Sequence, residues 1–154
     1  MSTITIVIVT LLFSAFFSGI EIAFVSSNRL KLELDKSSDS FISKTIAIFS
    51  RDESNFIATM LIGNNIALVI FSISMTKFLD PFLNQVISSS FLLLFTQTII
   101  STIVILITAE FIPKAIFRIN PNYMIKIFSL PLVIFYFVLS PIVFVMLSIS
   151  GFVL

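Results

Sequence analysis

Polar side chains recur at helical spacing within the first apolar stretch of the chain. At intervals of four, four and three residues stand Thr10, Ser14, Ser18 and Glu21. This spacing puts their oxygens on one face of a helix, and hydroxyl and carboxylate oxygens are ligands for hard cations. The hydroxyls could instead bond to carbonyls one turn earlier and help helices to pack. Gly19 beside Ser18 would permit a close helix approach or a local unwinding.

Two further groups of oxygen ligands lie in later apolar stretches. The second stretch carries a Gly-Asn-Asn sequence at 63–65, and adjacent amides point about 100° apart on a helix, toward two neighbours or a neighbour and a ligand. The third stretch ends at Ala109 and Glu110, shortly before Pro113. Because proline has no N–H, we expect the carbonyl of Ala109 to lose its helical donor beside the carboxylate. Interhelical hydrogen bonding and a simple helix end at Pro113 are the alternative interpretations.

Glu21 and Glu110 are the only ionisable side chains in the three apolar stretches, which run from about Thr3 to Val25, Asn55 to Thr76 and Val86 to Ile112. A charged group deep in a membrane helix costs a few kcal/mol, so it usually faces a polar interior or a partner. Either could also reach the interface or pair with a basic residue. Together with the hydroxyls and amides, the carboxylates form an all-oxygen set suited to Mg²⁺ or Na⁺. Spacing alone leaves the choice between these ions open.

The composition excludes most soluble functions. Of 154 residues, 58% are apolar and 11% charged, against about a quarter charged in soluble domains. The sequence has no cysteine and no histidine, which removes thiolate and imidazole metal ligands and the usual general base. It has none of the short protease motifs, and a net charge of +1 without a long basic run does not suit a nucleic-acid partner. We expect a membrane protein that is not an enzyme and has no catalytic residues.

The apolar stretches predict one all-α integral membrane domain over residues 1–154. Three transmembrane helices are predicted, at about 3–27, 54–78 and 86–112. The first is expected to be a retained span, since no charged region precedes it. The charged segment 28–53 predicts juxtamembrane helices, and Asp80-Pro81 with Asn84 and Gln85 predicts a short turn. The segment 114–154, which contains Pro131 and Pro141, predicts either a kinked span or a helix along the membrane surface.

Basic residues are unevenly distributed between the predicted loops. Five Lys or Arg lie between the first two spans and three follow the third, whereas Lys77 alone lies beside the predicted turn. The positive-inside rule therefore predicts that the charged segment 28–53 lies in the cytoplasm and the N-terminus outside. The C-terminus is expected in the cytoplasm if the last segment lies on the surface, and outside if that segment spans.

Three motifs, taken in order, resemble the transmembrane domain of the CNNM/CorC family of magnesium transporters. They are LFSAFFSGIE at 12–21, IGNN at 62–65 and AEFIPK at 109–114. The resemblance covers essentially the whole chain. It implies three spans in the cell membrane, a surface-lying helix after the third, a homodimer, and outward Mg²⁺ transport coupled to Na⁺.

The resemblance also implies a set of ion ligands. The ion would be held by Ser14, Ser18, an amide of the asparagine pair and Glu110. The candidate metal site comprises Ser14, Ser18, Gly19, Gly63, Asn64, Asn65, Ala109 and Glu110, with Glu21 and Pro113 as possible accessory residues. Family members usually continue into cytoplasmic CBS modules that bind adenine nucleotide, and we expect no nucleotide site in these 154 residues. The alternative function is a non-transporting membrane anchor or scaffold for a cytoplasmic module or partner complex.

Overall fold

The computed structural model describes residues 2–28 and 41–153, and all regular structure in these two ranges is helical. The all-α prediction is thus confirmed. Residues 29–40 of the predicted juxtamembrane segment lie outside the described residues. In chain order the elements are α1 (Thr3–Ser26), α2 (Phe41–Arg51), α3 (Glu53–Leu83), α4 (Ser90–Ile105), a π-helix (Leu106–Phe111), α5 (Ile112–Ile119), α6 (Pro121–Ile127) and α7 (Ser129–Val153).

Four helical stretches in the described residues are long and apolar enough to cross a membrane. They are α1, α3, the continuous run Ser90–Ile119 and the Ser129–Ile149 part of α7. A bilayer core about 30 Å thick needs about 20 apolar residues in helical form. The chain is therefore a multi-pass membrane protein. The count of three spans is not confirmed, because α7 meets the same criterion of length and composition.

Side-chain caps define the ends of α1 and α3. Ser2 accepts a hydrogen bond from the backbone N–H of Thr5 at the start of α1, and the hydroxyl of Ser27 donates to the carbonyl of Phe24 at its end. Asp52 accepts from the N–H of Asn55 at 3.1 Å at the start of α3. Each cap supplies a partner for backbone groups that a helix end leaves unpaired.

The turn predicted around Asp80-Pro81, Asn84 and Gln85 begins later than expected, because Asp80 and Pro81 lie inside the last turns of α3 and the turn covers residues 84–86. Pro81 lacks the N–H that would bond to the carbonyl of Lys77. The Asp80 carbonyl receives the N–H of Asn84 at 3.0 Å, and the amide of Gln85 donates to the Pro81 carbonyl at 2.8 Å. One missing donor near its end therefore does not stop α3 before Leu83.

Helix α1 lies at the centre of the bundle and packs against α3, the π-helix, α5 and α6. The rings of Phe24 and Phe56 are 4.4 Å apart where the end of α1 meets the start of α3, and Phe49 of α2 stacks beside Phe56. The backbone N–H of Asn28 donates to the side chain of Asn122 in α6 at 3.1 Å. We call this end of the bundle, which also carries Lys114 and Arg118 in α5, the basic end.

Two glycines let aromatic rings lie directly against helix backbones. A Cβ on Gly63 of α3 would lie 2.6 Å from the ring of Phe17, and one on Gly19 of α1 would lie 2.8 Å from the ring of Phe117. Both distances are far shorter than a normal carbon–carbon contact of about 3.5 to 4.0 Å. Helix α1 continues without interruption through Gly19, so this glycine serves close approach and not unwinding.

Candidate functional site

The polar stripe of α1 faces the interior of the bundle. Thr10, Ser14 and Ser18 are buried, and Glu21 is half-buried at the basic end. The hydroxyl of Thr10 bonds within its own helix, 2.7 Å from the carbonyl of Ile6 and 3.0 Å from that of Val7. The Thr10 hydroxyl therefore bonds to carbonyls about one turn earlier, as the alternative to ion binding predicts. The hydroxyls of Ser14 and Ser18 do not.

Ser14 makes a hydrogen bond between spans. Its Oγ lies 2.6 Å from Oδ1 of Asn64 in α3 and donates to it, and Ser14 is fully buried. A donating hydroxyl keeps both of its lone pairs, and an amide oxygen that accepts one bond can accept a second. The contact therefore joins α1 to α3 and still leaves two oxygens able to coordinate a cation.

Ser18 lies one turn further toward the basic end on the same face of α1. It is fully buried, and its Oγ has no hydrogen-bond partner among the described residues. Leaving a buried hydroxyl unsatisfied costs about 1 to 3 kcal/mol, so such a group in a native structure requires an explanation. A ligand that the Ser18 oxygen coordinates would remove this cost.

The asparagine pair divides between the interior and the surface of the chain. Asn64 is half-buried and turned toward α1, as its bond to Ser14 shows. Asn65 is exposed, because consecutive residues of a helix point about 100° apart. Within one chain, only Asn64 reaches the other polar groups of α1.

The third motif lies on a π-helix that the sequence analysis did not predict. The N–H of Ile112 donates to the carbonyl of Ile107, five residues earlier. If this register continued, the donor for the carbonyl of Thr108 would be Pro113, which has no N–H. In that register the carbonyl without a donor would be that of Thr108 and not the predicted carbonyl of Ala109. Short π segments often occur at functional sites, and Ala109, which is fully buried, lies in this one.

Glu110 is paired with a basic residue one turn later. Its Oε2 lies 3.8 Å from the Nζ of Lys114, and the two side chains are 32% and 43% exposed. Glu21 of α1 lies within Coulombic range of both groups. The ion-pair alternative for Glu110 is thus realised in this structure, and the sequence analysis did not single out Lys114 as part of the site.

The arrangement supplies mostly neutral oxygens. No group of three or more Asp, Glu, His or Cys side chains comes together in the part of the chain that the structure describes. A cation here would meet hydroxyl, amide and carbonyl oxygens with one or two carboxylates. Such a site suits a transported ion, because transport requires binding that is favourable yet weak enough for release.

A groove beside these residues is apolar. It has a volume of about 190 Å³ and lies against Gly63, Phe17 and Phe135, with Thr10 as its one polar residue. Since Thr10 already bonds to its own helix, this groove offers a cation no oxygen ligands.

Comparison with known families gives one match, which spans nearly the whole chain. The model for the cyclin M transmembrane N-terminal domain, CNNM, matches residues 5–154. The comparison with curated proteins gives no match. The matched range includes all three motifs and every helix described above.

Proposed function

Since the chain belongs to the CNNM transmembrane-domain family, we propose that it transports a divalent cation and that this cation is Mg²⁺ moving out of the cell. The observation that carries the proposal is the buried, unpartnered hydroxyl of Ser18. It lies one turn from the bond between Ser14 and Asn64, on the helix that packs against the π-helix of Glu110. A cation between these groups would give the hydroxyl oxygen of Ser18 a partner.

The chemistry of these ligands supports Mg²⁺. The ion prefers about six oxygen ligands and usually keeps several of its waters. Oxygens of Ser14, Ser18, Asn64 and Glu110 would supply part of this shell, with carbonyls near Pro113 and water completing it. We also propose that Na⁺ drives transport by occupying the same oxygens, because hydroxyls and carbonyls serve Na⁺ at irregular membrane helices.

The contacts of α7 support the interpretation in which three helices span and α7 lies along the cytoplasmic surface. Phe135 packs on Phe17, which lies against Gly63, whereas the next residue, Tyr136, packs on Phe49 and lies near Asp52. Gly63 and Asp52 are eleven residues apart in the sequence, and α3 therefore separates their levels by about 16 Å. If α7 were parallel to α3, two consecutive residues of α7 would contact positions only about 1.5 Å apart along the axis of α3. We infer that α7 crosses α3 obliquely.

The orientation we propose follows the charges, with the basic end in the cytoplasm and the N-terminus outside.

The partner we propose is a second copy of the chain. Asn65 is exposed in the middle of a span, and an amide facing hydrocarbon is costly unless another protein group pairs with it. The run Ser90–Ile119 is only 11% buried, against 39% for α1, which leaves a broad apolar face for this contact.

Calorimetric titration of Mg²⁺ into the purified protein in detergent tests the proposal, followed by Mg²⁺ efflux from proteoliposomes with and without a Na⁺ gradient. We expect saturable binding that Glu110→Gln abolishes at unchanged folding. Glu53→Gln makes the same chemical change at the basic end outside the proposed ligands, and should bind like the wild type. Absence of binding and flux in the folded wild type would contradict transport and favour the membrane-anchor alternative.

A further inference from the structure

We propose that Lys114 is an internal competitor for the ion at Glu110 and that Glu21 receives the Lys114 ammonium when a cation takes Glu110. This inference rests on the proposed transport function. It adds Lys114, which has no place in the ligand set, and gives Glu21, a possible accessory residue, a role other than coordination; the two would control affinity.

The first observation is the position of the ammonium group. Nζ of Lys114 lies 3.8 Å from Oε2 of Glu110, across one turn of helix. A cation that coordinates this carboxylate must share it with the ammonium or displace it. Two positive charges on one carboxylate repel each other in the low dielectric of a membrane protein, so displacement is the favoured outcome.

The second observation is that a second carboxylate lies within reach on another helix. Glu21 is half-buried on α1 and interacts electrostatically with Lys114 and with Glu110, and α1 packs against both the π-helix and α5. Beside Lys114 is a groove of about 290 Å³ that is bordered by Ile22, the neighbour of Glu21 in the sequence. A second carboxylate on a neighbouring helix and open space beside the ammonium are thus both present.

The charges at this point explain how the ammonium would control affinity. Two carboxylates and one ammonium carry a net charge of −1, so a bound Mg²⁺ leaves +1 and a bound Na⁺ leaves 0. The attraction of a doubly charged ion to Glu110 is twice that of the tethered ammonium at equal distance, so Mg²⁺ can displace it. Displacing the ammonium costs free energy whichever cation binds, and Lys114 therefore lowers the affinity for both.

The test is calorimetric titration of MgCl₂ and, separately, of NaCl into wild type, Lys114→Met, Glu21→Gln and the double variant, all in detergent at constant ionic strength. Arg118→Met is the matched control, since it removes a positive charge one turn further along α5. Size-exclusion profiles and thermal unfolding verify that each variant folds. Glu110→Gln is included to test the ion site itself.

We expect Lys114→Met to tighten Mg²⁺ binding roughly fivefold, the factor that corresponds to about 1 kcal/mol for a partly exposed ion pair. Its Na⁺ binding should tighten as well, because Na⁺ must displace the same ammonium. Glu21→Gln should weaken Mg²⁺ binding roughly fivefold when Lys114 is present and by less than twofold when it is Met. Arg118→Met should change either affinity by less than twofold.

Equal effects of Lys114→Met and Arg118→Met would overturn the inference, because they would indicate a general surface potential. Additive effects of Glu21→Gln and Lys114→Met would overturn it too, since the two residues would then act independently. In either case, loss of binding in Glu110→Gln would leave the proposed transport function intact. Unchanged binding in Glu110→Gln would instead contradict the proposed ion site, and the competitor with it.

Discussion

Ser14 Oγ and Asn64 Oδ1 are 2.6 Å apart and join the first two long helices of the bundle at the centre of the candidate site. One turn along the same face of α1, the Oγ of Ser18 is buried without a hydrogen-bond partner in the described part of the chain. The two serines have the same chemistry and similar burial, so the difference between them arises from what the neighbouring helix presents. This contrast makes their variants informative.

Replacing Asn64 by Leu should destabilise the protein by about 1 to 3 kcal/mol, because it leaves the buried hydroxyl of Ser14 without its acceptor. Mg²⁺ binding should be lost as well. Thermal unfolding in detergent and calorimetry measure the two effects. Asn65→Leu is the control for stability, since Asn65 is exposed, and it should alter dimerisation instead. Equal loss of stability in both variants would contradict the role given to the Ser14 bond.

Replacing Ser18 by Ala should change stability and binding in opposite directions. Removing an unsatisfied buried hydroxyl should leave the free energy of unfolding unchanged or raise it by about 1 kcal/mol. Mg²⁺ affinity should fall at least tenfold if the oxygen is a ligand. Ser14→Ala should lower both quantities. A Ser18→Ala protein that binds Mg²⁺ normally would remove Ser18 from the site.

Gly63→Ala should destabilise the bundle by about 1 to 3 kcal/mol, because the added methyl group would meet the ring of Phe17 at 2.6 Å. Phe17→Leu in the same chain should recover part of this loss by making room, as a thermal unfolding series would show. If Gly63→Ala and the double variant unfold at the same temperature, the contact with Phe17 does not set the requirement for glycine.

Gln97→Leu should remove the hydrogen bond of 3.2 Å that joins α4 to Asp80 near the end of α3. Hydrogen bonds between membrane helices contribute about 0.6 kcal/mol on average, so the expected loss of stability is of this size. Thr98→Val is the matched control, because Thr98 donates to the Leu94 carbonyl within its own helix. It should unfold close to the wild-type temperature, and an equal loss in both would argue against the interhelical bond.

The absence of cysteine allows the course of α7 to be tested by single-cysteine labelling in sealed vesicles. Ser148→Cys near the end of α7 should react from the same side as Ser54→Cys at the start of α3, if α7 lies along the cytoplasmic surface. Ser88→Cys, in the connection between α3 and α4, should react from the other side. Reaction of Ser148→Cys together with Ser88→Cys would show that α7 spans.

Much of the fold was open to prediction because its signals are local. Long apolar runs predicted a multi-pass helical membrane protein, and three short motifs predicted the family that the match over residues 5–154 shows. The errors arose where local signals were ambiguous. Asp80-Pro81 has the composition of a turn but lies within α3, because the proline removes only one backbone donor and the turn itself follows at 84–86. Helix α7 has the composition of a span, and composition alone cannot give its direction.

The sequence by itself determined that the protein lies in a membrane, that it is helical and that α1 has an oxygen-rich face. These features depend on residue type and on spacing along one helix. The contacts of Thr10 with Ile6 and of Glu110 with Lys114 join residues four apart in one helical run, so the sequence already offered them as alternatives. Only the tertiary structure decided that Ser14 reaches Asn64. The physical reason is that a hydrogen bond or ion pair forms within a few ångströms. Which groups come that close depends on how the helices cross and on the one-residue shift of the π-helix, and neither is encoded in the spacing of a single segment.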